Sequence, residues 1–418
     1  MKTPIIKPIV EQHAEEAAFL WLLRDAAVQE PHYSLKDLAH LDDRVEAHID
    51  GLRIAANDGW GICKKALALE EPGEVFVAAV LAFESEDGMR VDEVIQAGVK
   101  SAEMWRALVS ATGWLSENDY QRWVPSLLSA NAVEYRRLAI AASVIRRHAP
   151  GSVLAEALED IDPLFRAKAL RAVGELKQRD LLPRLRQCFA DDDPGCRFWA
   201  AWSALLLGEQ SALEIMKQFI RVDSIFREPA LQLVLRTMNN ATAQIWLKDL
   251  AEEPELLRDV LIGTGVTGDP LYIPTLIKQM GNPIVARVAG EAFTLITGVD
   301  LAYDDLEGEW PKGFEAGPTE NADDENVDMD ADEDLPWPEP TLIQKWWDTN
   351  QHRFQVGRRY LVGEPISQSH CDRVLKNGMQ RQRYAAALEL ALIQPEAPLF
   401  ETRAPGGFQE DQLGIQKA

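Results

Sequence analysis

Seven arginines return at an almost constant step through the middle of the chain: Arg106, Arg137, Arg166, Arg197, Arg227, Arg258 and Arg287, with successive gaps of 31, 29, 31, 30, 31 and 29 residues. A period of that length marks an array of one supersecondary unit, in which each copy covers its neighbour's apolar face. Arrays of this kind offer a long surface to a macromolecule more readily than a closed pocket to a small one.

One copy, Ile161–Ala190, shows the grammar. Asp162-Pro163 opens it, Arg166 falls on the first turn of a helix carrying Leu170, Val173 and Leu176, and Gly174 lies near the end of that apolar set. Gln178-Arg179-Asp180 makes a turn, and Pro183 starts a second helix with Leu185 and Phe189. Proline suits a helix start because its missing N–H lacks a helical partner there anyway. Asp193-Pro194 with Arg197 and Gly208, and Asn282-Pro283 with Arg287 and Gly298, repeat the pattern; Pro125 and Pro274 take the place of Pro183. Apolar residues at three- and four-residue steps between such starts and stops predict short antiparallel helix pairs. Weaker copies are read at Glu74–Ala82 and from Arg383 to Leu390.

Over residues 75–300 this grammar resembles the HEAT-like repeats named after phycobilisome lyases, where an aspartate–proline turn precedes an arginine. The resemblance implies an all-α, right-handed α-α superhelix whose second helices line a concave face. Two flanking stretches add to it. One runs Leu38-x-x-Leu41-Asp42-x-Arg44-x-x-Ala47-His48-x-Asp50-Gly51-Leu52. The other holds Trp346-Trp347, Gly357-x-x-Tyr360-Leu361-x-Gly363 and Gln380-Arg381-Gln382-Arg383. Together they resemble a bacterial family of HEAT-like proteins found near type VI secretion genes, which implies an accessory role such as effector adaptor, chaperone or immunity protein.

Four stretches are expected: an N-terminal helical cap (1–74), the repeat array (75–303), an acidic linker or loop (304–339) and a tethered C-terminal segment with a terminal repeat helix (340–418). The third contains 15 Asp/Glu against one Lys. The formal net charge of -24 argues against nucleic acid, whose phosphates need clustered Lys and Arg, and against an anionic membrane surface. It leaves room for a basic protein partner, such as an effector or toxin. Cys63, Cys188, Cys196 and Cys371 form no CxxC pair and read as free thiols. With no run of about 18–20 apolar residues and no signal-like start, a cytoplasmic protein is expected.

Each chemical reading has a plainer rival. The arginine ladder is a concave-face binding stripe or, first, a set of clamps pairing with Asp162, Asp193 or helix-end carbonyls. Gly263, Gly265 and Gly268 match the dinucleotide fingerprint, yet they fall where the array demands a helix, so no cofactor is expected. His32, His40 and His48, near Asp42, Asp43 and Asp50, are spaced eight apart, about 12 Å on a helix, unlike a metal pair. His370 and Cys371 are adjacent and cannot face one another as base and nucleophile. Trp337, Trp346 and Trp347 are possible partner contacts or pins for the C-terminal segment. The expectation is a non-catalytic protein-interaction scaffold without metal or cofactor and with little prospect of a small-molecule ligand. The alternative is a bilin-lyase-like or other repeat-bearing enzyme.

Overall fold

The computed structural model describes residues 5–317 and 329–415, so the centre of the acidic stretch, 318–328, lies outside the described residues. Those residues form α1 (Lys7–Ala27), α2 (Leu35–Ala55), α3 (Asn57–Ala66), α4 (Pro72–Glu84), α5 (Gly88–Gly98), α6 (Ala102–Gly113) and α7 (Glu117–Leu128). Next come α8 (Val133–Ile145), α9 (Ser152–Ala157), α10 (Pro163–Glu175), α11 (Leu182–Gln187) and α12 (Pro194–Leu206). The chain continues through α13 (Leu213–Ile220), α14 (Arg227–Thr237), α15 (Asn240–Leu250), α16 (Leu257–Thr267), α17 (Ile273–Gln279), α18 (Ala286–Thr297) and α19 (Pro340–Asn350). A two-residue hairpin, β1 (Tyr360–Leu361) with β2 (Glu364–Pro365), precedes α20 (Gln368–Asn377), α21 (Gln380–Ile393) and α22 (Gly406–Leu413). The fold class is an all-α solenoid of helix pairs. Two compact units emerge, residues 1–212 with 394–418, and residues 213–393. The stretch 340–418 is therefore shared between them.

Local chemistry sets the helix starts. The Asp162 carboxylate accepts from the backbone N–H of Leu164 at 2.9 Å, and Asp193 accepts from that of Cys196 at 2.8 Å, each followed by proline. These caps satisfy donors that no helical carbonyl can reach. Pro125 behaves differently from its expected place at a helix start. Ser116 caps α7 well upstream by accepting from Asp119 N–H at 3.1 Å, so Pro125 lies inside that helix. The apolar set Tyr120, Val124 and Leu127 carries the helix through it.

In the first unit α4, α6, α8, α10 and α12 pack successively side by side as one row, while α5, α7, α9 and α11 each pack against the row helix that follows. Buried Phe76, Leu108, Leu138, Leu170 and Leu205 lie along the row. Each such side chain contributes roughly 1.5–3 kcal/mol, shared mainly with nearest neighbours. α1 and α2 pack together at the start, joined by a buried ion pair of Arg24 and Asp42 at 2.9 Å. The tail after Gln394 returns to this unit as a strap. Leu399 N–H donates to the Glu175 carbonyl at 2.9 Å, Glu401 lies 3.6 Å from Arg147, and Arg24 donates to the carbonyls of Arg403 and Ala404. Gly406 N–H completes it by donating to Asp42 at 2.6 Å.

In the second unit α14, α16 and α18 form the row, flanked by α13, α15 and α17. The glycine fingerprint is helical: Gly263 and Gly265 lie within α16, and a Cβ on Gly265 would stand 3.0 Å from the Ala292 backbone of α18. Gly268 ends the helix at φ +68°, and a Cβ there would overlap the Tyr360 carbonyl, which belongs to a chain segment docked on the helix end. Tyr360 N–H donates to Gly268 O at 2.8 Å, and Gly363 N–H donates to Ile296 O at 3.1 Å. The glycines thus serve close backbone approach.

Candidate interaction surface

The arginines of the repeat separate into two interleaved ladders, because Arg136 and Arg137 are neighbours that point to different surroundings. Arg136, Arg166, Arg197 and Arg227 hold turns. Arg136 donates to the carbonyls of Ala130 and Asn131 at 2.9 and 2.7 Å and meets Asp160 at 3.3 Å. Arg166 donates to the Asp160 carbonyl at 2.7 Å and grips Asp191 through two bonds of 2.9 Å. Arg197 donates to the carbonyls of Asp191 and Asp192 at 2.6 and 2.9 Å. Arg227 reaches the Val222 carbonyl at 3.3 Å, with Asp223 and Asp259 each at 3.5 Å. Each clamp thus orders the turn before it, while Arg136, Arg166 and Arg227 also reach a carboxylate one unit on. Asp162 and Asp193 serve as helix caps instead.

The second ladder is Arg106, Arg137 and Lys168, on α6, α8 and α10, with Trp199 of α12 next at the same 31-residue step. Arg106 pairs with Asp25 at 2.7 Å. Arg137 lies over the Trp105 ring at 3.7 Å, has no ion pair among the described residues, and keeps a buried Nε without an acceptor. Burial holds its guanidinium below the usual arginine range, against the pull of Asp162 and Glu134. Lys168 is exposed to water yet walled in. Burial, then the Arg171, Arg137 and Arg403 guanidiniums, push its ammonium down to about 8, against Glu175. Arg171 bonds Glu175 at 2.7 Å and lies over Trp199 at 4.6 Å.

In the second unit the arginines are answered by the acidic stretch. Arg258 makes two bonds to Asp332, of 2.7 and 2.6 Å. Arg287 makes two bonds to Asp330, of 2.8 and 2.7 Å, and donates to the Asp332 carbonyl at 2.7 Å. Trp310 and Trp337 lie over the Arg287 guanidinium at 5.4 and 4.7 Å, so Trp337 packs against the chain itself. Trp346 sits edge-on to Phe293 at 5.6 Å, and Trp347 is buried against Phe354. The three tryptophans therefore line the second unit's own packing.

Other candidates disperse to separate partners. His48 meets His13 through their Nδ1 atoms at 3.2 Å, Asp42 serves Arg24, and Asp50 serves Arg53 at 2.6 Å. His370 Nε2 lies 2.6 Å from the Leu361 carbonyl, and Cys371 is buried, its thiol pushed up to about 11 by burial first and Glu389 second. Recesses open at the repeat turns. One of about 460 Å³ is lined by Ile161, Pro163, Arg166 and Asp191–Asp193.

Sequence reasoning missed Arg136, Lys168 and Arg403. A fixed 31-residue step from Arg106 would have led through Arg137 to Lys168 and Trp199 and separated the two ladders.

Residues 151–234 match the family described as HEAT repeats. No curated protein and no solved structure matches the chain. The match and the paired helices make this a HEAT-like repeat protein. Among the described residues no helix is long and apolar enough to cross a membrane.

Proposed function

We propose that this protein is a non-catalytic scaffold that holds another polypeptide against the row helices of its first unit. HEAT repeats commonly mediate protein interactions, and one observation supports that use here: a repeat-spaced row of cations and tryptophan rings, two of whose cations have no carboxylate of their own. A row distributed over successive helices suits an extended chain better than a compact metabolite.

The finer assignment is an accessory role in bacterial type VI secretion, as effector adaptor, chaperone or immunity protein. It is supported by the resemblance of the flanking motifs alone. The net charge of -24 favours a partner that is basic overall through long-range attraction, while the row selects at short range. The test is affinity capture from the native bacterium, read by mass spectrometry, followed by deletion of the gene and measurement of the captured protein's secretion or toxicity. A specific polypeptide partner whose delivery or neutralisation changes on deletion is expected. Failure to retain any polypeptide, or retention of a coloured tetrapyrrole on co-expression, sinks the reading.

A further inference from the structure

The cations of the first unit's row specify what they accept. Packed helices stand about 8–10 Å apart, so Arg137 on α8 and Lys168 on α10 form a step of that order along the layer. Arg171 and Arg403 add positive charge near Lys168. Arg106 and Arg171 have carboxylates of their own, whereas Arg137 and Lys168 have neither ion pair nor hydrogen bond among the described residues. Asp and Glu outnumber Lys and Arg by 67 to 43 in this chain, so leaving these two unanswered does not follow from any shortage of acid. Gathering like charges costs stability that an outside anion restores.

The second unit supplies a template for that anion. There Asp330 and Asp332, two residues apart, satisfy Arg287 and Arg258 on the neighbouring row helices α18 and α16. The segment turns there, Glu333 N–H donating to the Asp330 carbonyl at 3.2 Å, and carboxylates two residues apart reach adjacent helices. Trp337 of the same segment stacks on the Arg287 guanidinium. The first unit offers two cations one helix apart, with Trp105 against Arg137 and Trp199 against Arg171. The strap brings Arg403 near Lys168 and Glu401 near Arg147 and Arg171, yet none of its carboxylates bonds Arg137 or Lys168 among the described residues. Nucleic acid fits less well, since its run of successive phosphates asks for more cations than this pair supplies, whereas two carboxylates match it.

We propose that the row face of the first unit binds an acidic segment of a partner polypeptide, with carboxylates two residues apart seated on Arg137 and Lys168 and an adjoining apolar residue against Trp199. This deepens the scaffold reading and rests on it. The probe is a fluorescein-labelled peptide with the sequence of residues 329–338, titrated with the full-length protein by anisotropy at low and raised salt. Salt-sensitive binding is expected, weakened about tenfold or more in Arg137→Ala/Lys168→Ala and unchanged in Arg186→Ala, whose guanidinium pairs with Glu209 at the surface. A probe that does not bind, or binds the double variant equally well, overturns the assignment. So does single-stranded DNA that binds more tightly through the same two residues.

A second measurement uses the unaltered protein. Acetic anhydride labelling near pH 8, read by mass spectrometry, should modify Lys168 readily, and saturating probe should slow that modification several-fold; equal labelling with and without probe counts against the site. A native partner that stays bound to the double variant refutes the acidic-segment assignment and leaves the scaffold standing. If no partner is captured but the probe binds through Arg137 and Lys168, the site is supported and the scaffold reading fails.

Discussion

Arg136 and Arg137 show how one residue's difference changes a side chain's task. A step of one turns a helical side chain by about 100°, so Arg136 closes a turn while Arg137 lies over Trp105. For the clamps, Arg166→Ala should cost about 2 kcal/mol in chemical denaturation, less than for a fully buried pair because Arg166 and Asp191 are 17% and 13% exposed. Asp191→Asn should cost less, since it still offers Arg166 an acceptor oxygen. At Lys168 the folded ammonium releases its proton near 8 against an ordinary value of 10.5, so the unfolded chain holds that proton more tightly. The penalty is complete below about 8 and fades as pH rises toward 10.5. Lys168→Met should therefore melt higher than the parent near neutral pH, with the gap closing across that window; a gap independent of pH contradicts this sign. The near-constant arginine spacing made the repeat legible, but gaps of 29 to 31 residues let two registers pass as one ladder. Lys168 was missed because it is not an arginine.

Elements whose signals are local were readable. Asp162-Pro163 and Asp193-Pro194 begin helices as their capping chemistry requires, and the glycines at 263, 265 and 268 belong to a helix and its end. Pro125 misled because the Ser116 cap, nine residues earlier, outweighs one proline. The strap was unreadable for a different reason: the donor and acceptor joining Arg24 to Ala404 are 380 residues apart, beyond any local pattern. Arg24→Ala strands the buried Asp42 carboxylate and should cost roughly 3–5 kcal/mol. Hydrogen exchange should quicken across residues 401–413 and in α2, with α14–α18 unchanged. If that acceleration is absent, the ion pair does not anchor the strap. The acidic stretch reads as a solvated spacer by composition, yet Asp330 and Asp332 are bound to arginines. Composition reports how many carboxylates there are and not which cations await them.

At the scale of the molecule, an array held by nearest-neighbour contacts unfolds piecemeal unless something ties distant copies together. In the first unit the strap does this, touching α10 at Glu175, Arg147 beyond α8, and α1 through Arg24. Removing residues 394–418 should lower the first unit's stability and broaden its urea transition, whereas an unchanged midpoint and slope would assign the strap no such role. The same feature sets a schedule for biosynthesis. The acceptors that complete Arg24 lie 379 and 380 residues downstream, so at 5–20 residues per second the ribosome delivers them roughly 20 to 80 seconds after the arginine itself. Throughout that interval the nascent first unit carries its leading helices without their final fastening, and every residue of the second unit is translated before the first can be locked.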